Sequence, residues 1–443
     1  MSPLERIVEP LFHVRAAGST PGREALAGLT TFMAMAYILF VNPAVLSQAG
    51  MDFGAVFTAT CLASAAATLI MALAANYPIA LAPGMGQNFF FLTVVTGMGV
   101  GWRQALGAVF LSGVAFVALT VSRVRGRLIE AIPASLKTGI AVGIGLFIAL
   151  IGMVNAGIVT RPPSGMLHLG DVTSAPPLLA FGGLAVSAAL MARRVRGALV
   201  AGMAVAASAA LALGLVRYQG LIGPPPSLAP TFLEMDLAGV FTWAMAPVVL
   251  VFLYMALFDA IGTLVAVGER AGLMRGGTLV RGERALLADA TGTVVGASLG
   301  TSTVTAYIES ATGVEEGGRT GLASVVTASL FLLSLGISPL VRMVGGGVQS
   351  GEATLQPITA PALIVVGALM ARAVARIPWD DVTESIPAFL VMAGIPFTFS
   401  IADGLALGFI AFPVLKLLSG RVSEASWIVY LLAALFAARY ALT

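Results

Sequence analysis

The chain has 443 residues, 58% of them apolar and only 10% charged, with 51 glycines. No water-soluble fold needs that much hydrophobic surface, so the composition excludes a soluble enzyme or binding domain and defines an integral membrane protein. Net charge is +3, but the 24 Lys and Arg mark connecting segments and form no nucleic-acid face. Cys61 is the sole cysteine and His13 and His168 the sole histidines, which excludes an intrachain disulfide and leaves metal or histidine-based catalysis almost no raw material. No cofactor and no metal site are expected.

The first stretch, "MSPLERIVEPLFHVRAAGSTPGRE", is charged and amphipathic and leads into a full-length apolar run without an A-x-A cleavage site, so it reads as a cytoplasmic segment (1–23), not a signal peptide. A bilayer core about 30 Å thick takes roughly 20 helical residues to cross. Runs of that order are predicted near 24–47, 52–75, 78–96, 103–122, 137–158, 176–192, 197–216, 241–267, 284–300, 303–318, 321–344, 358–376, 384–400 and 403–419, fourteen in all. A further stretch, 426–441, is short for a span and either crosses or lies at the interface. The fold expected is an all-α polytopic membrane protein, since the weakly alternating ten-residue segments of a barrel are absent.

Cationic residues test this layout. With a cytoplasmic N-terminus, seventeen Lys and Arg fall inside (Arg6, Arg15, Arg23, Arg123, Arg125, Arg127, Arg193, Arg194, Arg196, Arg270, Arg275, Arg281, Arg284, Arg372, Arg376, Lys416 and Arg421) against four outside (Arg103, Arg161, Arg217 and Arg342), with Lys137, Arg319 and Arg439 assigned to neither side. That asymmetry is what the positive-inside rule requires.

Two spans are short and interrupted. The third, "YPIALAPGMGQNFFFLTVV", is broken by Pro83, Gly84 and Gly86; the tenth, "GTSTVTAYIESATG", is rich in threonine and β-branched residues and ends at Gly313. If the chain is two halves of seven spans, these segments correspond, and the odd number inverts the second half. Paired interrupted segments in inverted halves point to a midplane binding site in a secondary transporter.

An ionisable side chain in lipid costs roughly 2.5 to 3.5 kcal/mol on insertion scales, so it persists facing a cavity or a partner. Asp259 in "LFDAIGTL" and Glu309 in "AYIESATG" meet that condition, as ligand groups or as caps for the broken helices. Asn88 and Gln87 stand at the third-span break, where a carboxamide can contact a ligand or satisfy freed backbone. Phe89, Phe90, Phe91 and Tyr307 border the breaks and offer rings for stacking or for packing. Asn42 reads as a cap before Pro43, Asp403 as the N-cap of span fourteen, Asp289 as the partner of a nearby arginine, and Glu315 and Glu316 as a solvated loop. No basic residue is expected to face the cavity. The set suits a small planar ligand with several N–H donors, and burial disfavours the charged form of a carboxylate, which suits proton uptake.

The motifs "GLTTFMAMAYILFVNPAVLSQAGMD", "LAPGMGQNFFF", "FDAIGTLVAVGERAGL", "GTSTVTAYIESATGVEEGGRTGL" and "FTFSIADGLALGFI" closely resemble the AzgA-like adenine/guanine/hypoxanthine branch of the nucleobase:cation symporters, within the xanthine/uracil permease superfamily. The resemblance runs from about residue 20 to the C-terminus. It implies the uracil permease fold: a seven-plus-seven inverted repeat with short antiparallel strands in segments three and ten. It also implies a core domain (24–130 and 241–345), a gate domain (131–240 and 346–420) and a C-terminal hydrophobic segment (421–443). By motif, Asp259 matches the span-eight carboxylate, Glu309 the span-ten glutamate that hydrogen-bonds the base, Tyr307 and Ile308 the positions before it, and Asn88 the span-three asparagine of the purine branch.

Two departures stand out. Uracil permease has a glutamate and, four residues on, a histidine in span eight, where this chain has Asp259 and Thr263; the shorter acid leaves room for a bicyclic base. Gln87 stands where leucine is more usual. The expectation is a multi-pass inner-membrane importer of hypoxanthine, guanine or adenine, coupled to protons through Asp259 and Glu309, with Asn88, Phe89, Tyr307, Ile308 and Thr263 completing the site. The alternatives are a uracil or xanthine permease or an anion transporter of the same fold. Its partners are the purine base, the proton and the lipid bilayer, with no nucleic acid. Core-against-gate motion often uses a dimer to anchor the gate, which makes a homodimer the assembly to test for.

Overall fold

The computed structural model describes residues 3–122, 133–160, 166–242, 245–275, 278–350 and 353–442. The cationic marks at Arg123, Arg125, Arg127 and Arg161, and the expected core–gate boundary at 130, lie outside these residues. After an N-terminal helix (Pro3–Phe12), the elements follow the apolar runs: α1 (Pro21–Gln48), α2 (Phe53–Ala75), β1 (Leu81–Pro83), α3 (Met85–Met98), α4 (Trp102–Val121), α5 (Ala134–Asn155), α6 (Ala175–Ala192) and α7 (Ala198–Ala212). Next come α8 (Ala246–Arg270), α9 (Gly282–Leu299), β2 (Val304–Ala306), α10 (Ser310–Glu315), α11 (Gly321–Gly345), α12 (Ala360–Ala371), α13 (Val382–Thr398), α14 (Ile401–Leu418) and α15 (Trp427–Leu442). Among the described residues eight helices are long and apolar enough to cross a membrane: α1, α2, α4, α5, α6, α8, α11 and α14. The protein is a mostly helical, multi-pass membrane protein with short antiparallel strand pairs.

Helix ends are set by local chemistry. Thr20 caps α1 by accepting from the Arg23 N–H at 3.3 Å, with Pro21 at the first helical position. Asp52 caps α2 through the Ala55 N–H at 2.7 Å. At α14 the cap is Ser400, whose hydroxyl accepts from the Asp403 N–H at 3.2 Å, so Asp403 lies in the first turn and is not itself the cap. Glu24, fully buried, accepts from the Arg319 N–H at 2.9 Å and the Thr320 N–H at 3.3 Å and so fixes the start of α11 on α1.

Helices pack in two groups. In one, α9 lies on α2 and α4, and α11 on α1 and α2; in the other, α5 lies on α12 and α13, α13 on α14, and α6 on α7. Where α5 crosses α12, a Cβ at Gly367 would collide with the Gly145 carbonyl, so the backbones approach as closely as small residues allow. At the α13–α14 end, the buried Lys416 ammonium pairs with Glu384 and Glu424, each at 2.8 Å, and Arg421 pairs with Asp381 and Glu424. Hydrogen bonds from the Thr383 hydroxyl and Arg421 lower the pKa of the Asp381 carboxyl to about 2.

Asn42 departs from its expected role. It sits inside α1, fully buried, and donates to the Thr60 hydroxyl at 2.6 Å and the Thr301 hydroxyl at 2.9 Å. It joins α1 to α2 and to the segment entering β2, because a carboxamide in an apolar interior must find partners across helices.

Candidate functional site

The two interrupted segments meet. β1 pairs antiparallel with β2 in the register Leu81↔Ala306, Ala82↔Thr305 and Pro83↔Val304. Gly84 N–H donating to Thr303 O (2.9 Å) and Tyr307 N–H donating to Ala80 O (3.0 Å) extend the pairing. Both strands are buried, so a two-stranded ladder exposes edges that lipid cannot satisfy. Side chains close those edges. The Thr68 hydroxyl of α2 accepts from the Leu81 N–H at 2.9 Å and donates to the Leu81 carbonyl at 3.1 Å. From α9, Thr293 donates to the Val304 carbonyl at 2.9 Å, and Asp289 accepts from the Ala306 N–H at 2.7 Å and the Thr305 hydroxyl at 3.2 Å. Asp289 is fully buried and holds the strand, and it is not the arginine partner that its sequence neighbours suggested.

Glu309 stands three residues after β2 and immediately before α10. Tyr37, buried at the turn within α1, donates to Glu309 Oε1 at 2.9 Å, while the Tyr307 hydroxyl donates to the Pro83 carbonyl at 2.5 Å. Glu309 itself is half-buried and Ile308 is 51% exposed, so the chain presents this corner outward while the ladder behind it is sealed.

Asp259, midway along α8, opens onto a cavity of about 1010 Å³ that follows α8 from Ala246 to Ala266 and lies against α5, α12, α14 and α15. At 1.5 Å per residue that span is about 30 Å long, comparable to the bilayer core. Gln87 Nε2 donates to Asp259 Oδ2 at 3.2 Å, linking the α3 break to α8; Gln87 Oε1 is buried with no partner among the described residues. That oxygen lies where a Cβ on Gly84 would stand, so the glycine at the break makes room for it. Gly86, Thr263 and Ile308 also line the cavity.

The expected site residues therefore divide. Asp259, Thr263 and Ile308 reach the cavity; Glu309, next in sequence to Ile308, is not among the residues lining it. Asn88 is fully buried with its Oδ1 accepting from Ser302, and Phe89 is buried edge-to-face on Phe147 with centroids 6.4 Å apart. Tyr307 spends its hydroxyl on Pro83. The rings lining the cavity are instead Tyr254 and Phe258, stacked at 6.1 Å, with Phe409 and Phe436, whose centroids lie 5.9 Å apart. Helical spacing in "YMALFD" carried that signal, since positions 254 and 258 share a face with Asp259 nearby. Lys137 and Arg376 also line the cavity, so the expectation that no basic residue faces it does not hold.

Glu315 and Glu316 have partners: Glu315 pairs with Arg270 at 3.1 Å, and Glu316 with Arg196. A solvated loop was expected there.

A broken-helix pair beside a polar-tipped apolar cavity is a transporter's architecture. Residues 22–407 match the Xan_ur_permease profile, described as a permease family, and the chain belongs to that family. It is a permease and not an enzyme. The guanine/hypoxanthine permease PbuG of Bacillus subtilis is 45% identical over 96% of this chain and 97% of its own length. The adenine permease AdeP of Escherichia coli is 43% identical over 97% and 95%. Among solved structures, the transmembrane domain of the cyanobacterial bicarbonate transporter BicA superposes with a TM-score of 0.64 at 16% identity, covering 87% of this chain and 96% of that one, which speaks to the fold alone.

Proposed function

We propose that this permease imports purine nucleobases (hypoxanthine, guanine or adenine) across the inner membrane by proton symport. The observation that carries the reading is the β1–β2 ladder: the segments it pairs bring Gln87, hydrogen-bonded to Asp259, and Ile308 to the wall of a single cavity, with Glu309 the next residue after Ile308. Acceptors there match the ring N–H groups of a purine, and the stacked Tyr254–Phe258 face suits a flat apolar ring. Relatives named as adenine and guanine/hypoxanthine permeases, at 43% and 45% identity, support the same substrate class.

In this reading the fourteen apolar segments form a seven-plus-seven inverted repeat with the N-terminus inside. Ion pairs support the alternation: Arg196–Glu316, Arg270–Glu315 and Lys416–Glu384 each join loops assigned inside, and Arg103–Glu234 joins two assigned outside. The packed group of α1, α2, α4, α9 and α11 is the core, and that of α5 to α7 and α12 to α14 the gate; residues 24–130 with 241–345, and 131–240 with 346–420, are the corresponding ranges. The ladder travels with the core, and base plus proton shift the population between outward- and inward-open states by binding one better than the other. Protonation of Asp259 or Glu309 removes the cost of moving a bare carboxylate through the membrane.

Uptake of radiolabelled hypoxanthine into cells expressing the protein should collapse to background when a protonophore dissipates the gradient and should persist when sodium is replaced by choline. Sodium dependence would overturn the coupling.

A further inference from the structure

On the face opposite the ends carrying Arg196, Arg270 and Glu316 lies a second cavity, of about 540 Å³, between the C-terminal ends of α1, α5 and α11, the start of α2, and the strand pair that precedes α12. Its side chains are polar: Gln48, Asp52, Asn155, Arg342 and Gln356. Arg342 is solvent-exposed there, and a buried polar group beside it is left unpaired. The Arg342 guanidinium has no acceptor among the described residues, and its Nη2 lies over the backbone of Gly54, near the place a Cβ there would occupy. Asn155 Nδ2 is buried without a partner, although the Asn155 backbone carbonyl is engaged by the Gln356 N–H at 2.7 Å. Asp52 caps α2 through Oδ1 and has a second oxygen to offer. Gln48 and Gln356 turn their amide N–H groups to the Ala44 carbonyl, at 3.1 and 3.4 Å, and so fix the wall around these three.

The donor pattern differs from that of the main cavity. There the Asp259 carboxylate and the Gln87 amide oxygen offer acceptors, with Lys137 and Arg376 also on the wall; here a planar five-donor fork and an asparagine whose N–H₂ is unpaired line the cavity, with one carboxylate oxygen beside them. An arginine fork matches two adjacent acceptors on a planar edge, and the O6/N7 edge of a 6-oxopurine is such an edge. Adenine carries a donor in place of O6 and fits the fork poorly. We propose that this cavity is a vestibule site for a 6-oxopurine, in which Arg342 holds O6 and N7, Asn155 donates to a ring acceptor and Asp52 accepts a ring N–H, before the base passes to the ladder site. The walls come from both packed groups, α1, α2 and α11 on one side and α5 on the other, so closing or opening their seam would assemble or disperse the vestibule. The inference rests on purine uptake being the protein's activity.

The test is uptake kinetics with hypoxanthine and adenine in cells expressing wild type, Arg342→Gln or Arg342→Lys, with surface amounts measured in parallel. Arg342→Gln should raise KM for hypoxanthine about tenfold, the scale of one lost bidentate contact, leave kcat per surface molecule in place, and move KM for adenine by less than about twofold. Arg342→Lys, keeping the charge and losing the fork, should resemble Gln more than wild type. If Arg342→Gln fails to reach the membrane, Arg342→Lys carries the same comparison. An unchanged hypoxanthine KM, or equal shifts for the two bases, overturns the vestibule while leaving purine transport standing. Wild type that takes up neither base overturns the proposed function and this inference with it.

Discussion

Replacing Glu309 by Gln is expected to lower purine uptake by about a hundredfold or more in kcat/KM while the protein reaches the membrane in normal amount. The side chain keeps its length and stays within reach of Tyr37, whose hydroxyl can donate to an amide oxygen as it does to Oε1 at 2.9 Å. What changes is the second heavy atom: an acceptor becomes an N–H₂ donor facing ring N–H groups. A site built to hydrogen-bond a ligand loses several orders of magnitude when one polar group is left opposed or unpaired. The fold does not depend on the charge, because Glu309 is half-buried and makes no ion pair among the described residues. Surface expression by biotinylation, measured beside initial uptake rates, separates the two effects. Near-normal transport by Glu309→Gln would remove this residue from the site.

The largest effect on stability is expected at Asp289. Its Oδ2 takes the Ala306 N–H and the Thr305 hydroxyl, and nothing else on α9 reaches that N–H. Asp289→Ala leaves a strand-edge donor buried and unpaired beside a new void, a loss of about 3 kcal/mol or more by the usual cost of unmade buried hydrogen bonds. Asp289→Asn keeps one acceptor oxygen and should fall between. Thermal unfolding in detergent, followed by loss of the monodisperse chromatographic peak, should rank wild type above Asn and Asn above Ala. An Ala variant as stable as wild type would mean that the carboxylate does not hold β2. Uptake should fall with the same ranking, since a loosened β2 misplaces Glu309 three residues beyond it.

Much of this was legible in the chain. Apolar runs located the helices to within a few residues, and the interruptions at "LAPGMG" and "TSTVTAY" mark where helix breaks; the ladder takes Leu81–Pro83 and Val304–Ala306, whereas "NFFF", expected to be able to run extended, is helical in α3. The reason is that proline, glycine and β-branched residues act on the backbone locally, where sequence alone decides. Side-chain direction is different. Whether Asn88 faces a ligand or Ser302 depends on the rotation of α3 after its break, which is set by packing on α5 and α8. Asp289 could be seen as a carboxylate in an apolar run, but its partner lies across a turn in β2. Arg376 looked like a loop cation and Lys137 had no assigned side, because each sits at a helix end; only the tertiary fold brings those ends to the cavity wall. Asn42 likewise looked like a local cap, while its partners come from α2 and the segment entering β2.

The central claim is that the ladder site takes purine bases. The measurement that tests it most directly is uptake of radiolabelled hypoxanthine in cells lacking their own purine transporters, challenged with excess unlabelled guanine, adenine, xanthine, uracil and bicarbonate. The account predicts saturable uptake that guanine or adenine suppresses and that uracil and bicarbonate leave intact. No uptake above vector control, or suppression by bicarbonate or uracil in preference to the purines, would contradict it.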